Sequence, residues 1–180
     1  MKNIKIVSSK RILKGRLLEV FETHLVLSSG GKRVHHIATR PPIVSVFPIT
    51  EGYDIFLVSQ YRYLLDKTTL EAMAGFIEPN ESPLQAAKRE LKEETGLVAK
   101  KWEKFVTAEL AGSVFKGQAH LFFAKDLKEG EALPEESENI QLVRMSLDEA
   151  VKRVLRGEIN HAASMIGILF LDRLKRNNKL

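Results

Sequence analysis

The amino-acid sequence predicts an α/β fold, and three observations carry this prediction. Apolar and polar residues alternate near the N-terminus, as they do in half-buried strands. Short apolar runs in the middle of the chain indicate buried strands, and later segments combine capping residues with helical periodicity. A chain of 180 residues is long enough to bury a full hydrophobic core.

The N-terminal stretch predicts a small antiparallel sheet. Apolar and polar side chains alternate in three segments, residues 5–9, 17–28 and 33–39. Turn formers separate these segments, at Lys14-Gly15 and at Ser29-Gly30-Gly31. Because Pro41-Pro42 then breaks the pattern, we divide the chain into an N-terminal β extension, residues 1–40, and a main domain, residues 41–180.

The sequence of the main domain predicts five more strands and an acidic loop. The strands are residues 43–49, 54–60, 103–110, 119–125 and 140–145, and a turn at residues 50–53 joins the first two. Residues 128–139 are acidic, rich in turn formers and poor in apolar side chains. We expect this segment to be a mobile surface loop.

Three helices are predicted. Ser82 caps the first, with Pro83 in the first turn, Gln85 completing a capping box and Gly96 ending the helix. The second begins at the cap residue Ser146, has Glu149 at its third position and ends at Gly157. The third covers residues 161–175, where an apolar stripe predicts packing against the core.

The first predicted helix carries a cluster of carboxylates. Glu90, Glu93 and Glu94 have the spacing i, i+3 and i+4, which places them on one face within about one turn. Such a cluster repels itself unless a cation lies nearby. One interpretation is ordinary surface pairing with the basic residues of the same helix, Lys88, Arg89 and Lys92, and charge pattern alone favours it. The other is a site for magnesium or manganese, which prefer oxygen ligands.

The composition excludes several classes of function. The chain contains no cysteine, which excludes disulfides, thiol catalysis and thiolate metal sites, and which fits a reducing compartment. No apolar run approaches the length of a membrane span, and the first residues lack the apolar core of a signal peptide. We therefore expect a cytoplasmic protein without a membrane partner.

The formal net charge of +5 favours attraction to polyanions in general. Much of the basic excess lies near the two ends of the chain, where we interpret it as solvated surface. No RNA-binding pattern with interleaved aromatic residues accompanies it. A nucleic-acid partner is therefore not expected.

The stretch from Gly75 to Leu97 resembles the Nudix box at every defined position. Gly75 is followed by Glu81 and then by the string Arg89-Glu90-Leu91-Lys92-Glu93-Glu94-Thr95-Gly96-Leu97. This resemblance implies an α/β/α sandwich with a mixed sheet, the box helix on one face and the final helix on the other, preceded here by the N-terminal antiparallel strand extension. It also implies hydrolysis of a pyrophosphate bond with Mg²⁺ or Mn²⁺ as cofactor.

The entry to the box, Leu70-Glu71-Ala72-Met73-Ala74-Gly75, resembles the ADP-ribose pyrophosphatase and nucleoside diphosphate sugar hydrolase branch of the family. The branch implies a small-molecule substrate such as ADP-ribose or GDP-mannose, cleaved to a nucleoside monophosphate and a sugar phosphate. It also implies a homodimer built partly by residues 1–40. The loop at residues 111–118 departs from the branch, because it lacks the usual Ser-Pro-Gly stretch and downstream glutamate.

The resemblance also assigns roles to individual residues. The metal ligands would be the Ala74 carbonyl, Glu90, Glu94 and Glu93. The catalytic carboxylates would be Glu93, Glu94 and a loop glutamate, Glu138 or in second place Glu136. The substrate-binding residues would be Arg62, for which a surface ion pair is the alternative, and Arg40.

Four further residues would support this site. Arg89 would orient the neighbouring carboxylates, Glu81 would hold the box loop and Glu71 would act from the preceding strand. Gly75 would supply backbone freedom close to the ion.

The sequence leaves two other functions open. One is a Nudix hydrolase of other diphosphates, such as dinucleoside polyphosphates, coenzyme A or RNA 5′ ends. The other is a non-catalytic protein that keeps the fold and binds nucleotides or RNA. The intact string of carboxylates argues against a pure binder, because binding alone does not need all of them.

Overall fold

The fold is known from a computed structural model, which describes residues 4–129 and 140–180. The strands are β1 (Ile4–Lys14), β2 (Glu19–Leu27), β3 (Lys32–Thr39), β4 (Ile43–Pro48), β5 (Asp54–Arg62), β6 (Lys67–Glu71), β7 (Met73–Phe76), β8 (Leu97–Glu109), β9 (Phe115–Lys116), β10 (Gln118–Glu129) and β11 (Ile140–Ser146). The helices are α1 (Pro83–Thr95), α2 (Leu147–Leu155) and α3 (Ala162–Arg176), and a short 3₁₀ helix covers Tyr63–Leu65.

The chain divides into two compact units. The first comprises the described residues up to Pro42 together with Glu109–Ala119, and the second comprises Ile43–Ala108 and the described part of His120–Leu180. The predicted catalytic glutamates Glu136 and Glu138 lie outside the described residues, as does most of the predicted acidic loop. Lys128 and Glu129, placed in that loop by the sequence, belong instead to β10.

The first unit is built on a sheet with the strand order β1-β2-β3-β9. β2 pairs antiparallel with both β1 and β3, and β9 joins β3 in parallel. β1 continues to Lys14, well beyond the predicted residues 5–9. Its register shifts between Ile6 and Ser8 and again between Arg11 and Leu13, so bulges interrupt the alternation from which the strand was predicted.

The second unit contains two sheets, with the strand orders β7-β4-β10-β8 and β11-β5-β6. The central strand β4 is buried along its whole length. Val44 and Val46 pack in one cluster with residues of α1, whereas Phe47 lies against Gly167 of α3. Because side chains alternate between the faces of a strand, α1 and α3 cover opposite faces of β4.

The predicted cap of α1 is confirmed. The Ser82 hydroxyl accepts a hydrogen bond from the Gln85 amide at 3.3 Å, and the Gln85 side chain accepts one from the Ser82 amide at 2.9 Å. Gly96 ends the helix in the left-handed region with φ of 72°. These local interactions fix where α1 begins and ends, and they therefore place its carboxylates along the chain.

The ends of the other helices differ slightly from the prediction. Ser146 caps α2 by accepting from the Glu149 amide at 3.2 Å, as predicted, but the helix ends at Leu155 and Gly157 follows in the left-handed region. α3 begins at Ala162, with His161 as its N-terminal cap residue. The short strands β6 and β7 were not predicted as separate elements, because each is too short to show a clear alternation.

Candidate active site

The strand β7 and the helix α1 contact each other through three consecutive residues of the strand. The Ala74 amide donates to Glu94 Oε1 at 3.3 Å, and the Phe76 carbonyl accepts from Arg89 Nη2 at 2.9 Å. Between them, Gly75 lies against the Glu90 carboxylate. Two of the three predicted metal-binding glutamates, Glu90 and Glu94, are thus held against the strand that carries the predicted backbone ligand, Ala74.

Gly75 is required for space rather than for backbone freedom. A Cβ atom built at this position would overlap the carboxylate of Glu90. Gly75 is absent from the described glycines with positive φ, which are Gly30, Gly96 and Gly157. The expected reason for this glycine was therefore wrong, since any residue can adopt its backbone conformation but only glycine leaves room for Glu90.

Arg89 connects three carboxylates and one carbonyl group. Its guanidinium forms a bidentate pair with Glu81, with both distances 3.0 Å, and donates from Nη1 to Glu90 at 2.6 Å and to Glu93 at 3.0 Å. Within the part of the chain that the structure describes, Lys88 and Lys92 make no ion pair. Of the three basic residues of α1, only Arg89 therefore forms ion pairs within the described residues.

These contacts change the acidity of the groups involved. Hydrogen bonds to Glu81, together with smaller contributions from Glu90 and Glu93, raise the pKa of Arg89 despite its partial burial. The hydrogen bonds from Arg89 and from the Glu78 amide lower the pKa of Glu81. Arg89 and Glu81 are therefore both charged at neutral pH, and one guanidinium contacts the carboxyl groups of Glu81, Glu90 and Glu93.

The donor set suits a hard divalent cation. Carboxylate oxygens from Glu90, Glu93 and Glu94 and a nearby backbone carbonyl are the ligand types that Mg²⁺ and Mn²⁺ prefer. The space beside Gly75 admits a carboxylate where a side chain would block it. In the present arrangement of residues 4–129 and 140–180, however, no group of three or more His, Asp or Glu residues converges as a complete metal site. Arg89 occupies the position between Glu90 and Glu93.

Arg62, the first predicted substrate-binding residue, ends β5 and pairs with Glu71 on β6. Its Nε donates to Glu71 Oε1 at 3.1 Å and its Nη2 donates to Glu71 Oε2 at 2.8 Å. The Glu71 side chain is only 2% exposed, whereas that of Arg62 is 40% exposed. The buried Glu71 carboxylate therefore holds the Arg62 guanidinium in place at the surface. Arg62 thus forms an ion pair and is also accessible to a ligand.

A polar network around Glu71 was not foreseen from the sequence. Thr69 donates to Glu71 Oε1 at 2.6 Å, and Nδ1 of His161 lies 3.9 Å from Glu71 Oε2. Burial alone would raise the pKa of Glu71, but the Arg62 and Thr69 hydrogen bonds and the charges of His161 and Arg62 outweigh it and lower the pKa. No sequence signal links these residues, because the contact joins β6 to the start of α3.

Comparison with known proteins identifies the family. A model described as the NUDIX domain matches residues 39–165 of this chain. The chain belongs to the Nudix family. The family prediction made from the box is confirmed, and so is the predicted Nudix fold class.

Relatives of this Nudix chain span almost its whole length. It is 31% identical over 170 residues to a methanol dehydrogenase activator of Bacillus methanolicus, covering 93% of this chain and 92% of that protein. It is also 31% identical over 171 residues to an ADP-ribose pyrophosphatase of Bacillus subtilis, again covering 93% and 92%. A crystal structure of an ADP compounds hydrolase superposes with a TM-score of 0.87 at 26% identity, covering 100% of this chain and 98% of the other.

The remaining predicted residue, Arg40, lies in the first unit, whereas α1 belongs to the second. Its guanidinium lies over the ring of Phe115, 5.6 Å from the ring centroid, and burial lowers its pKa. Its backbone amide donates to the Lys116 carbonyl at 3.3 Å. Arg40 is thus held within its own unit, and its predicted contact with substrate stays a prediction. No helix in the described parts of the chain is both long and apolar enough to cross a membrane.

Proposed function

We propose that this Nudix protein hydrolyses the pyrophosphate bond of nucleoside diphosphate sugars, with ADP-ribose as the leading substrate and AMP and ribose 5-phosphate as products. The observation that carries the proposal is the placement of Glu90 and Glu94 against Ala74 and Gly75. Relatedness over 93% of the chain to an ADP-ribose pyrophosphatase supports this choice of substrate.

A divalent cation, Mg²⁺ or Mn²⁺, is the proposed cofactor. Its ligands would be the Ala74 carbonyl, Glu90 and Glu94, with Glu93 as a further ligand. When bound, such an ion neutralises the diphosphate and lowers the pKa of an attacking water molecule. Arg89, held by the bidentate pair with Glu81, keeps Glu90 and Glu93 oriented towards this position.

The protein itself supplies binding and proton transfer. Arg62 binds the diphosphate, because its guanidinium is fixed by Glu71 and reaches the surface. Arg40 is proposed as a second substrate-binding residue. A glutamate removes the proton of the attacking water, and the candidates are Glu93, Glu94, Glu138 and Glu136.

We also propose a homodimer in the cytoplasm, with the N-terminal extension of residues 1–40 at the subunit interface and residues 41–180 as the catalytic domain. In support, β1 exposes several large apolar side chains: Ile4, Ile6, Val7, Ile12 and Leu13. Apolar strand surface of this kind is typical of a contact with another protein.

The test is release of phosphate by a coupled phosphatase from ADP-ribose, GDP-mannose, UDP-glucose and dinucleoside polyphosphates, with magnesium and then with chelator. We expect metal-dependent turnover that is fastest with ADP-ribose. Preference for a dinucleoside polyphosphate or a capped RNA would overturn the proposed substrate class. RNA retention without turnover of any compound would indicate a binding protein instead.

A further inference from the structure

Glu71 is a buried carboxylate in contact with two groups that can carry positive charge. Both of its oxygens accept hydrogen bonds from Arg62, at 3.1 Å and 2.8 Å. In addition, Nδ1 of His161 lies 3.9 Å from Oε2, the oxygen that also accepts from Arg62 Nη2. A single carboxylate therefore interacts with a permanent cation on β5 and with a titratable group at the start of α3.

His161 has a suitable partner in either protonation state. Its Nδ1 lies 3.0 Å from the hydroxyl of Ser164, which in turn accepts from the Ala72 amide at 2.9 Å. A neutral imidazole can accept a hydrogen bond at Nδ1 from the Ser164 hydroxyl, and a protonated imidazole can donate one from Nδ1 to the Ser164 oxygen or to Glu71. The His161 side chain is 37% exposed, so it exchanges protons with solvent.

The charge on Glu71 affects how strongly Arg62 attracts an anionic ligand. A guanidinium that is fully compensated by a bidentate carboxylate presents little net charge to an anionic substrate. A second cation beside the same carboxylate also interacts with its negative charge. The positive charge of Arg62 is then less completely compensated. The three groups together are neutral when His161 is neutral, and they carry one positive charge when it is protonated.

We infer that His161 is a positioning residue of the diphosphate site, and that its protonated form strengthens substrate binding by Arg62 through Glu71. This inference rests on the proposed function, in which Arg62 binds the diphosphate. Protonation and substrate binding then favour each other, as thermodynamic linkage requires. The KM for a diphosphate sugar therefore falls as the pH decreases through the range in which histidine titrates.

The charged groups around His161 are consistent with this direction. Glu71 contacts it from β6, and Arg62 of β5 contacts the same carboxylate. In the preceding loop, Glu158 is engaged by Arg156 at 2.6 Å and by Arg153 at 3.8 Å. On α3 itself, the first charged side chain after His161 is Asp172. Among residues 4–129 and 140–180, Glu71 is the acid that forms an ion-pair contact with His161, and through it a change in charge on His161 reaches Arg62.

The test measures kcat and KM for ADP-ribose between about pH 6 and 8.5, the range in which histidine charge changes, for wild type, His161→Gln and His161→Lys. ADP-ribose suits this test because its diphosphate diester does not titrate there. We expect the wild-type KM to increase about fivefold towards high pH, the effect of one partly screened charge. His161→Gln should keep the high-pH KM throughout, and His161→Lys should keep the low-pH KM. The kcat should change less than the KM.

A matched control is His120→Gln, which removes a different histidine that pairs with Thr107. It should preserve the wild-type pH profile of KM. If His161→Gln also preserves that profile, or if it lowers kcat at all pH values with KM unchanged, the inference is wrong. A wild type that does not hydrolyse ADP-ribose would instead overturn the proposed function.

Calorimetry gives a direct second measurement. ADP-ribose binding to the metal-free protein near pH 7, measured in two buffers of different ionisation enthalpy, should show net proton uptake in the wild type. The uptake should disappear in both His161 variants, since neither can gain a proton at this position. Uptake that persists in His161→Gln would contradict the inference even if the protein proves to be an efficient enzyme.

Discussion

At the scale of single residues, Gly75 leaves the space that the Glu90 carboxylate fills. We predict that Gly75→Ala displaces this carboxylate and lowers kcat/KM about 100-fold, as small misplacements of catalytic groups do. The free energy of unfolding should change by only about 1 kcal/mol, because the end of a flexible side chain can move away. Gly52→Ala is the control, since its Cβ would meet only Thr50 Oγ1 at 3.8 Å. Equal activity of the two variants would contradict the prediction.

Glu81 links the site to the pH dependence of stability. The hydrogen bonds from Arg89 lower the pKa of Glu81 in the folded protein. The stability that Glu81 contributes is therefore fully present above the pKa that it has in the unfolded chain, and it is lost as the pH falls through the lower pKa of the folded state. We predict that Glu81→Gln costs about 1–2 kcal/mol at pH 7. This difference from wild type should shrink below about pH 4.3, the ordinary pKa of glutamate. Urea unfolding at several pH values measures it.

The control for this prediction is Glu78→Gln. This substitution removes an exposed carboxylate that forms no ion pair within residues 4–129 and 140–180. Its effect on stability should be small at every pH. A Glu81→Gln effect that grows on acidification would show that the pair with Arg89 does not stabilise the folded state.

At the scale of secondary-structure elements, the close contact of α3 with β4 depends on Gly167. A Cβ atom there would overlap the ring of Phe47, which is fully buried. Glycine-to-alanine changes inside helices usually stabilise a protein. A destabilising effect would therefore indicate the overlap with Phe47. We predict that Gly167→Ala destabilises the protein by about 1–3 kcal/mol through overpacking. Gly112→Ala, whose Cβ would meet nothing within 4 Å, serves as the control in denaturant titrations.

Elements whose signals are local could be predicted from the sequence. Ser82, Gln85 and Gly96 fixed the ends of α1 correctly, because a cap acts over three or four residues. The extent of β1 could not be predicted, since two bulges hide its alternation. The carboxylate face of α1 followed from helical spacing, whereas its dependence on the space at Gly75 required the packing against β7.

The network around Glu71 escaped prediction for a different reason. Its members come from β5, β6 and the start of α3, and the Ala72–Ser164 hydrogen bond spans 92 residues of sequence. No periodicity or spacing connects positions so far apart. The sequence indicated Arg62 and Glu71 through their resemblance to a family branch, but it gave no reason to place His161 beside them.

At the scale of the whole molecule, the exposed apolar side chains of β1 support the proposed dimer. Ile6 is 62% exposed, and we predict that Ile6→Lys converts the dimer into a monomer because it places a charge in the interface. Leu155→Lys is the control, as it changes a side chain that is 75% exposed on α2. Light scattering after size-exclusion chromatography gives the mass of each variant. A wild type that is monomeric, or an Ile6→Lys dimer, would contradict the proposed interface.

We propose that the carboxylates of α1 held against β7 form the centre of a metal-dependent ADP-ribose hydrolase. The most direct measurement is the formation of AMP and ribose 5-phosphate from ADP-ribose by wild type and Glu94→Gln, with magnesium and with chelator. We predict turnover by the wild type that requires the metal, and a loss of at least about 100-fold in folded Glu94→Gln, typical of a lost acid–base or metal-binding group. Turnover that survives the chelator or this substitution would contradict the proposed role of these carboxylates.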